Sequence, residues 1–182
     1  MFFKIILTYL TVTLTLNLIT LGAAIALPRN INTVLDKLTE LGTLEGKVDQ
    51  ELQSWTGEHN AAMPLLMAIQ AWGDGMQDTT AAADEIQGPF HEADSKQVKD
   101  ITVGMGDAMP KTFALFMNKK QVLEEAYLRG VIYFHLKSLL TRTESLADAL
   151  GERMAEKDRK VMDGVVEDVV DGYENVIDEF EY

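Results

Sequence analysis

The sequence contains no cysteine among its 182 residues. A chain without cysteine cannot form the disulfide framework that holds many small secreted domains together, so it must be stabilised by its hydrophobic core. Cysteine nucleophiles are excluded for the same reason. This absence favours extensive packing between helices.

The remainder of the chain after residue 26 also lacks strand signals. Alternating β-branched stretches with hairpin turn pairs are missing, and no internal repeat of solenoid length occurs. There is no Asn-x-Ser/Thr acceptor and no Ser/Thr/Pro-rich stalk. The charged end at 178–182 excludes the hydrophobic tail that a GPI signal requires. An all-helical protein without a lipid anchor is therefore expected.

Catalytic and metal-binding patterns are missing as well. The three histidines, His59, His91 and His135, are too far apart to share one face of a helix, and none follows a glutamate by three residues. The segment that begins at His91 resembles the start of a zinc-protease helix, but Ser95 stands where the second histidine is needed. No serine lies in a Gly-x-Ser-x-Gly turn. We predict no catalytic residue, no metal and no cofactor, and an enzyme is the least favoured reading.

Basic residues are scarce. The chain has 16 Lys and Arg against 29 Asp and Glu, which gives a net charge of −13. Such a surface repels phosphate backbones and anionic lipid headgroups, so nucleic acid is an improbable partner. Any contact with lipid is expected to use an apolar cavity or face.

The first residues have the three parts of a secretory signal peptide. Lys4 provides the positive charge, an apolar run covers 5–19, and Ala24-Ile25-Ala26 is a small-x-small cleavage site. A membrane anchor is the alternative, but threonines dilute the run and Pro28 follows it. We predict a signal peptide at 1–26 and a secreted helical-bundle binding domain at 27–182. After cleavage, stable membrane insertion is not expected.

Apolar residues recur every three or four positions along most of the remaining chain, which is typical of amphipathic helices. The clearest stripes are Ile31, Val34, Leu38, Leu41, Val48, Leu52 and Trp55; Ile132, Leu136, Leu139, Leu146 and Leu150; and Met162, Val166, Val169, Tyr173, Val176 and Phe180. Glu45 interrupts the first stripe at an apolar position. The predicted helices cover about 30–56, 62–87, 95–126, 129–154 and 157–181. The predicted fold class is all-α, an antiparallel bundle of about five helices.

Particular residues mark helix boundaries. Pro64 suits a first helical turn, and Gly88-Pro89 ends the second helix. Ser95 is expected to be the N-cap of the third helix. Pro110 lies inside that helix, where a kink is expected because proline removes one backbone hydrogen bond.

Methionine is the most informative residue type present. Eight methionines follow the signal peptide, and methionine repacks readily around ligands of varied shape. The alternative is that they fill gaps in an ordinary core. One face of the helix that contains Pro110 carries Met105, Met109, Phe113 and Phe116. This arrangement favours a segment that changes shape around a bound ligand. Five helices can also leave an elongated gap at their centre.

The sequence resembles the fungal hydrophobic surface-binding protein A family, which includes cell-wall galactomannoproteins of the Mp1 type. The resemblance covers the whole chain after the leader. It rests on VDQELQSW at 48–55, MPLL at 63–66, LFMNKK at 115–120, LKSLL at 136–140, and a final helix with Tyr173 near its end. It implies a five-helix extracellular bundle that carries a fatty acid in an apolar tunnel or adsorbs to hydrophobic surfaces. Wall-attached relatives carry a stalk and an anchor signal, so a freely secreted form is expected, with cell-wall association as the alternative.

Two hypotheses follow. The first is a lipid-binding protein that holds a fatty acid or similar acyl chain, enclosed by the second to fifth helices, with a hydroxyl or amide at the mouth for the head group. The expected lining residues are Met67, Met105, Met109, Phe113, Phe116, Leu139 and Tyr173. The alternative is an adaptor that adsorbs to hydrophobic surfaces and helps recruit secreted hydrolases, without a preformed pocket. An adsorbing protein is expected to expose a contiguous apolar patch of several hundred square ångströms.

Overall fold

The computed structural model describes residues 31–181, and the predicted signal peptide lies outside them. Within this range the chain forms five α-helices and one short 3₁₀-helix, and no strand. The helices are α1 (Ile31–Ser54), α2 (Met63–Asp84), α3 (Glu92–Glu125), α4 (Arg129–Gly151) and α5 (Glu156–Phe180), and the 3₁₀-helix is His59–Ala61. The predicted all-α fold class is confirmed. Of the helices in this part of the chain, none is long and apolar enough to span a bilayer.

The helices bury the stripes that the sequence predicts. In α1 the apolar residues Val34, Leu38, Leu41, Val48 and Leu52 are all buried. They occur at three- or four-residue intervals and therefore share the face that contacts the other helices. Glu45 occupies the same face and is only 4% exposed. The first stripe thus contains one buried acid.

The residue predicted to start a helix is found in that role at α2 but not at α3. Pro64 lies in the first turn of α2, as expected. The prediction that Ser95 is the N-cap of α3 is wrong, because His91 is the extended residue before that helix. Ser95 is buried in the first turn of α3, where its hydroxyl donates to Asp158 Oδ2 at 2.8 Å and accepts from the Ala155 N–H at 2.9 Å. It therefore fastens α3 to the start of α5.

The five helices pack in a closed ring. Following the contacts around the ring gives the order α1, α2, α4, α5, α3 and back to α1, with a narrow contact between α3 and α4 across it. Two pairs, α1–α2 and α4–α5, are consecutive in sequence and form antiparallel hairpins. The ring leaves its centre to be filled by side chains from all five helices.

The other three contacts in the ring join helices that run parallel. Gly73 of α2 lies against Leu139 of α4. Along the α3–α5 contact, the distances join Gly106 to Val165 and then Phe113 to Tyr173. Consecutive helices run in opposite directions, so each contact between helices two apart in the sequence is parallel. The bundle therefore contains both antiparallel and parallel neighbours.

α3 continues through Pro110 without interruption. Proline has no N–H, so the Gly106 carbonyl loses its partner four residues later. The helix is thus weakened in its middle, where Gly106 faces α5. The kink itself stays a prediction.

Candidate functional site

An apolar cavity lies at the centre of the helix ring. Its volume is about 70 Å³, and each of the five helices contributes to its wall. The lining residues are Leu38, Trp72, Met76, Thr102, Met105, Gly106, Met109, Thr143, Leu146, Ala147, Leu150, Met162, Val165, Val166, Val169 and Tyr173. No charged side chain is among them. Such a cavity suits an apolar guest.

Four of the lining residues are methionines: Met76, Met105, Met109 and Met162. They come from α2, α3 and α5, so flexible side chains face the cavity from three directions. A volume of about 70 Å³ holds only part of a long acyl chain. Because methionine has three rotatable side-chain bonds, these side chains can change conformation at a low cost in free energy. The methionine part of the wall is therefore more adaptable than the β-branched part, which consists of Thr102, Thr143, Val165, Val166 and Val169.

Two polar atoms in the cavity wall have no partner. Trp72 Nε1 and the Tyr173 hydroxyl are buried and make no hydrogen bond with any described residue. The Thr143 hydroxyl, also in the wall, is the polar neighbour of Tyr173, but the two hydroxyls do not meet the geometry of a hydrogen bond. Burial raises the pKa of Tyr173 well above its usual range, although Thr143 lowers it, so the Tyr173 hydroxyl stays protonated. Unpaired buried donors cost free energy and call for an explanation.

A surface groove between α3 and α5 adjoins the cavity. Its volume is about 340 Å³. Gly106, Met109 and Val169 line both the groove and the cavity, so the two spaces share a wall. The floor of the groove is mostly apolar, with Asp168 and Asn175 as its polar lining residues. The groove and the cavity are therefore neighbours across the middle of α3 and α5.

Glycines let α3 and α5 approach closely along this contact. A Cβ at Gly172 would lie 2.2 Å from Phe113 Cε2, and a Cβ at Gly106 would lie 2.1 Å from Val165 Cγ1. Phe113 also packs edge-on against Tyr173, with 4.9 Å between ring centroids. The α3–α5 contact is thus formed by apolar side chains that pack directly against glycines.

The contact between α1 and α3 contains buried polar residues, Glu45, Asp49 and Thr112, and the exposed Lys111. The Thr112 hydroxyl lies 2.7 Å from Asp49 Oδ1 and 3.2 Å from Glu45 Oε1, and Lys111 Nζ lies 2.6 Å from Asp49 Oδ2. Burial raises the pKa of Glu45 to about 7, and the Asp49 charge adds to this, while Thr112 and Lys111 oppose it. We call these four residues the acid cluster. The sequence offered one signal for it, the acid in the apolar stripe of α1.

The seven predicted lining residues separate into four groups. Met105, Met109 and Tyr173 face the cavity, while Phe113 faces the outer groove, as Met109 also does. Phe116 and Leu139 are buried but belong to neither wall. Met67 is 65% exposed and lies on the outer face of α2, away from both the cavity and the groove. Residues 65, 68, 69 and 72 form the inward face of that helix, and position 67 falls off it.

Sequence reasoning also missed part of the wall. Leu38 shows that α1 contributes, although only the second to fifth helices were expected to enclose the ligand. Trp72, Met76 and Met162 line the cavity too. Met162 begins a predicted apolar stripe, and Trp72 and Met76 lie four residues apart on α2. Periodicity indicates such inward-facing residues, but it carries no information on which of them line a cavity.

Within residues 31–181, no group of His, Cys, Asp or Glu side chains has the arrangement of a metal site. The acid cluster contains only two carboxylates and is closed by Thr112 and Lys111. The cavity wall presents apolar side chains and hydroxyl or indole donors. Such a wall can hold an apolar group and can donate hydrogen bonds to an acceptor.

The fold is similar to solved fungal structures. AfMP4P in complex with palmitic acid superimposes with a TM-score of 0.81 at 20% identity, covering 84% of this chain and 100% of that one. Ligand binding domain 1 of the Penicillium marneffei MP1 protein, complexed with arachidonic acids, gives 0.76 at 14% identity, covering 84% and 98%. Domain 2 of that protein, complexed with multiple arachidonic acids, gives 0.76 at 13% identity, covering 85% and 97%. At these identities the likeness establishes the fold.

A comparison with curated protein sequences finds no match. The family model of hydrophobic surface binding protein A, in contrast, matches residues 31–152, which contain α1 to α4. The match confirms the resemblance inferred from the sequence motifs. The chain belongs to the hydrophobic surface binding protein A family.

Proposed function

We propose that this protein is a secreted, non-enzymatic carrier that holds a fatty acid or similar acyl chain inside its helix ring. The apolar, methionine-lined cavity carries the proposal. It is supported by the shared fold of AfMP4P and the MP1 domains, whose structures contain palmitic and arachidonic acids. Secretion is supported by the signal-peptide pattern at 1–26.

The acyl chain occupies the cavity and continues into the α3–α5 groove. Burying a sixteen-carbon chain at about 0.8 kcal/mol per methylene gains about 12 kcal/mol before the costs of association. Because the cavity holds only part of such a chain, Met105 and Met109 must move aside as it binds. Both lie on α3 near Pro110, where the helix lacks one hydrogen bond. Loading is thus coupled to movement in the middle of α3.

Native mass spectrometry of the secreted protein, followed by titration with a fluorescent fatty acid, tests this function. A co-purifying acyl chain displaced one for one is expected. Met105→Lys places a charge in the cavity wall and is expected to reduce affinity at least about tenfold, since a buried unpaired charge is costly. Met67→Lys is the matched control, because Met67 is exposed on α2. A helical protein that is free of lipid and ignores every acyl chain would contradict the proposal.

A second function, adsorption to hydrophobic surfaces, is favoured by an exposed apolar patch. Met63 and Met67 on α2, Tyr127 before α4, and Val131 and Phe134 on α4 are large apolar residues left exposed. The parallel register that sets Gly73 against Leu139 places them at one end of the bundle. Scattered exposed apolar residues are ordinary, but five at one end form a candidate contact face.

Tyr127 is the most unusual member of this patch. It is 89% exposed and has a φ of 61°, a left-handed conformation that glycine adopts far more readily. The Leu128 N–H donates to the Leu123 carbonyl at 2.8 Å, so Tyr127 occupies the usual glycine position of a helix C-terminus. An aromatic ring kept at a strained, exposed position is consistent with a surface contact.

Depletion of the protein onto hydrophobic beads measures this second function. Phe134→Lys is expected to reduce adsorption, whereas Val161→Lys, an exposed site on α5, is the control. Equal adsorption of both variants and the unmodified protein would show that the patch is not the contact face. Retained fatty-acid binding in Phe134→Lys would show that the two functions use separate surfaces.

A further inference from the structure

We infer that the cavity holds the polar end of its ligand internally, through Trp72 Nε1–H and the Tyr173 hydroxyl, and that this end is an uncharged oxygen acceptor such as an alcohol, an ester or a protonated acid. The inference rests on the proposed carrier function. It adds the orientation of the ligand and the class of its head group.

The unpaired donors give the first argument. Trp72 comes from α2 and Tyr173 from α5, so the two donors enter the same cavity from different helices. Each is about 1% exposed, and neither has a hydrogen bond of good geometry to a described residue, the nearest polar neighbour of Tyr173 being the Thr143 hydroxyl. An indole N–H can only donate, and the protonated Tyr173 hydroxyl has a proton to donate. Two buried donors without an acceptor match a ligand that brings the acceptor.

The charges around the cavity give the second argument. No Lys or Arg lines it, so nothing there neutralises a carboxylate. The ionisable group that influences the pKa of Tyr173 is Glu45. Its carboxyl group is either negative or neutral, so it cannot neutralise a ligand carboxylate. A buried carboxylate without a cation is expensive, whereas a neutral oxygen needs only the two hydrogen bonds. The wall therefore selects against an ionised head group.

The groove gives the third argument, on orientation. Its polar lining residues are Asp168 and Asn175, and it offers no cation to a carboxylate at the surface. Its apolar floor, with Phe113, Ala114 and Met117, suits the methylene chain instead. With the polar end at Tyr173, the chain leaves the cavity past Met109 and lies along α3. This reverses the expectation that a hydroxyl or amide at the mouth binds the head group.

Binding of matched twelve-carbon ligands to the full secreted protein tests the inference. The ligands are 1-dodecanol, methyl dodecanoate, dodecanoate and 1-chlorododecane, each measured at pH 8 by displacement of a fluorescent fatty acid. Tyr173→Phe and Trp72→Phe are expected to weaken the alcohol and the ester about 3- to 10-fold, the size of one lost hydrogen bond. Binding of 1-chlorododecane, which lacks a strong acceptor, is expected to stay within twofold. Tyr133→Phe on α4, outside the cavity, is the control variant.

A second measurement needs no substitution. The indole N–H of Trp55 already donates to the Glu58 carbonyl at 3.0 Å, so it is an internal reference for the unpaired N–H of Trp72. In proton–nitrogen NMR spectra, 1-dodecanol is expected to shift the Trp72 indole signal downfield and leave that of Trp55 in place. This readout separates a ligand contact from a change in cavity shape.

Three results would overturn the inference. In the first, the acyl ligands bind but neither variant weakens the alcohol and the Trp72 signal does not move, so only water meets these donors. In the second, dodecanoate loses as much affinity as the alcohol in Tyr173→Phe and binds the unmodified protein equally well at pH 5 and pH 8, so the head group is bound ionised. In both, the carrier function survives. If no acyl ligand binds at all, the proposed function fails and this inference fails with it.

Discussion

Neighbouring residues on α3 face two different contacts. Thr112 points to α1, where its hydroxyl meets Asp49 and Glu45. Phe113 points to α5, where its ring packs on Tyr173 and over Gly172. The α1–α3 contact is formed by an ion pair and hydrogen bonds. The α3–α5 contact is formed by apolar surfaces beside a groove of about 340 Å³.

The α3–α5 contact is fastened mainly at its ends. Ser95 bonds to Asp158 at 2.8 Å near the start of both helices, and Lys120 Nζ lies 2.8 Å from Glu179 Oε2 near their end. Between these points lie the glycines and the cavity. Apolar contacts have no directional bonds to break, so the middle can widen while the ends hold. From this difference we expect that α1 anchors α3 and that the proposed ligand enters on the α5 side.

The largest expected effect concerns Glu45 and pH. Its pKa of about 7 exceeds the value of 4.5 for an exposed glutamate, so between these values the folded protein keeps a proton that the unfolded chain releases. The free energy of unfolding therefore falls as pH rises from about 4.5 to about 7, by at most about 3 kcal/mol from this group. Glu45→Gln removes the titration. Relative to the unmodified protein, the variant is expected to gain stability between pH 5 and pH 8, measured by urea unfolding.

Other carboxylates titrate in the same experiment, but they are common to both proteins and cancel in the difference. Asp74 and Asp100 have pKa values below their usual range because of hydrogen bonds from neighbouring side chains, and both lie on the surface. A stability difference between Glu45→Gln and the unmodified protein that is the same at pH 5 and pH 8 would show that Glu45 stays ionised in the folded state.

The next prediction tests whether the acid cluster stabilises the α1–α3 contact. Thr112→Val removes the hydroxyl between two buried carboxylates at nearly constant volume, and is expected to cost about 2 kcal/mol. For a domain of this size the melting temperature falls by about 4 to 8 °C. Thr112→Ser keeps the hydroxyl and should recover most of the loss.

Thr79 provides the matched comparison. It is as fully buried as Thr112, but its hydroxyl donates to the Gly75 carbonyl of its own helix at 2.7 Å. Because that carbonyl also belongs to the helix ladder, Thr79→Val is expected to cost less than about 1 kcal/mol. Equal losses at the two sites would mean that the acid cluster contributes no more than any buried hydroxyl.

Periodicity predicted the five helices and the inward face of each, because burial alternates with the helical repeat. It identified Met105, Met109 and Tyr173 as inward-facing residues, and these line the cavity. Met67, in contrast, is 65% exposed on α2 and lies off the inward face of that helix. Hydrophobicity alone does not set that position.

The arrangement of helices around the ring was beyond sequence reasoning. The parallel contact of α3 with α5 depends on long-range packing, and Ser95 shows why. Near the start of a helix it has the residue type of an N-cap, yet its hydroxyl bonds to Asp158, 63 residues away. The same limit applies to Trp72 and Tyr173, since nothing local shows that a buried donor lacks a partner.

The smallest expected effect compares two glycines of α3. A Cβ at Gly104 meets nothing within 4 Å, so Gly104→Ala is expected to stabilise the fold by about 1 kcal/mol through helix propensity and to leave fatty-acid affinity unchanged.

At Gly106 the same Cβ lies 2.1 Å from Val165 Cγ1, a stiff β-branched side chain. The overpacking offsets the gain in propensity, so Gly106→Ala is expected to give no net stabilisation. Since Gly106 lines both cavity and groove, the added methyl group and the displaced Val165 narrow the space between them, and affinity is expected to fall at least about threefold. Thermal unfolding and fatty-acid titration of the two variants measure both effects. Similar affinities in the two variants would place the access route elsewhere than the α3–α5 contact.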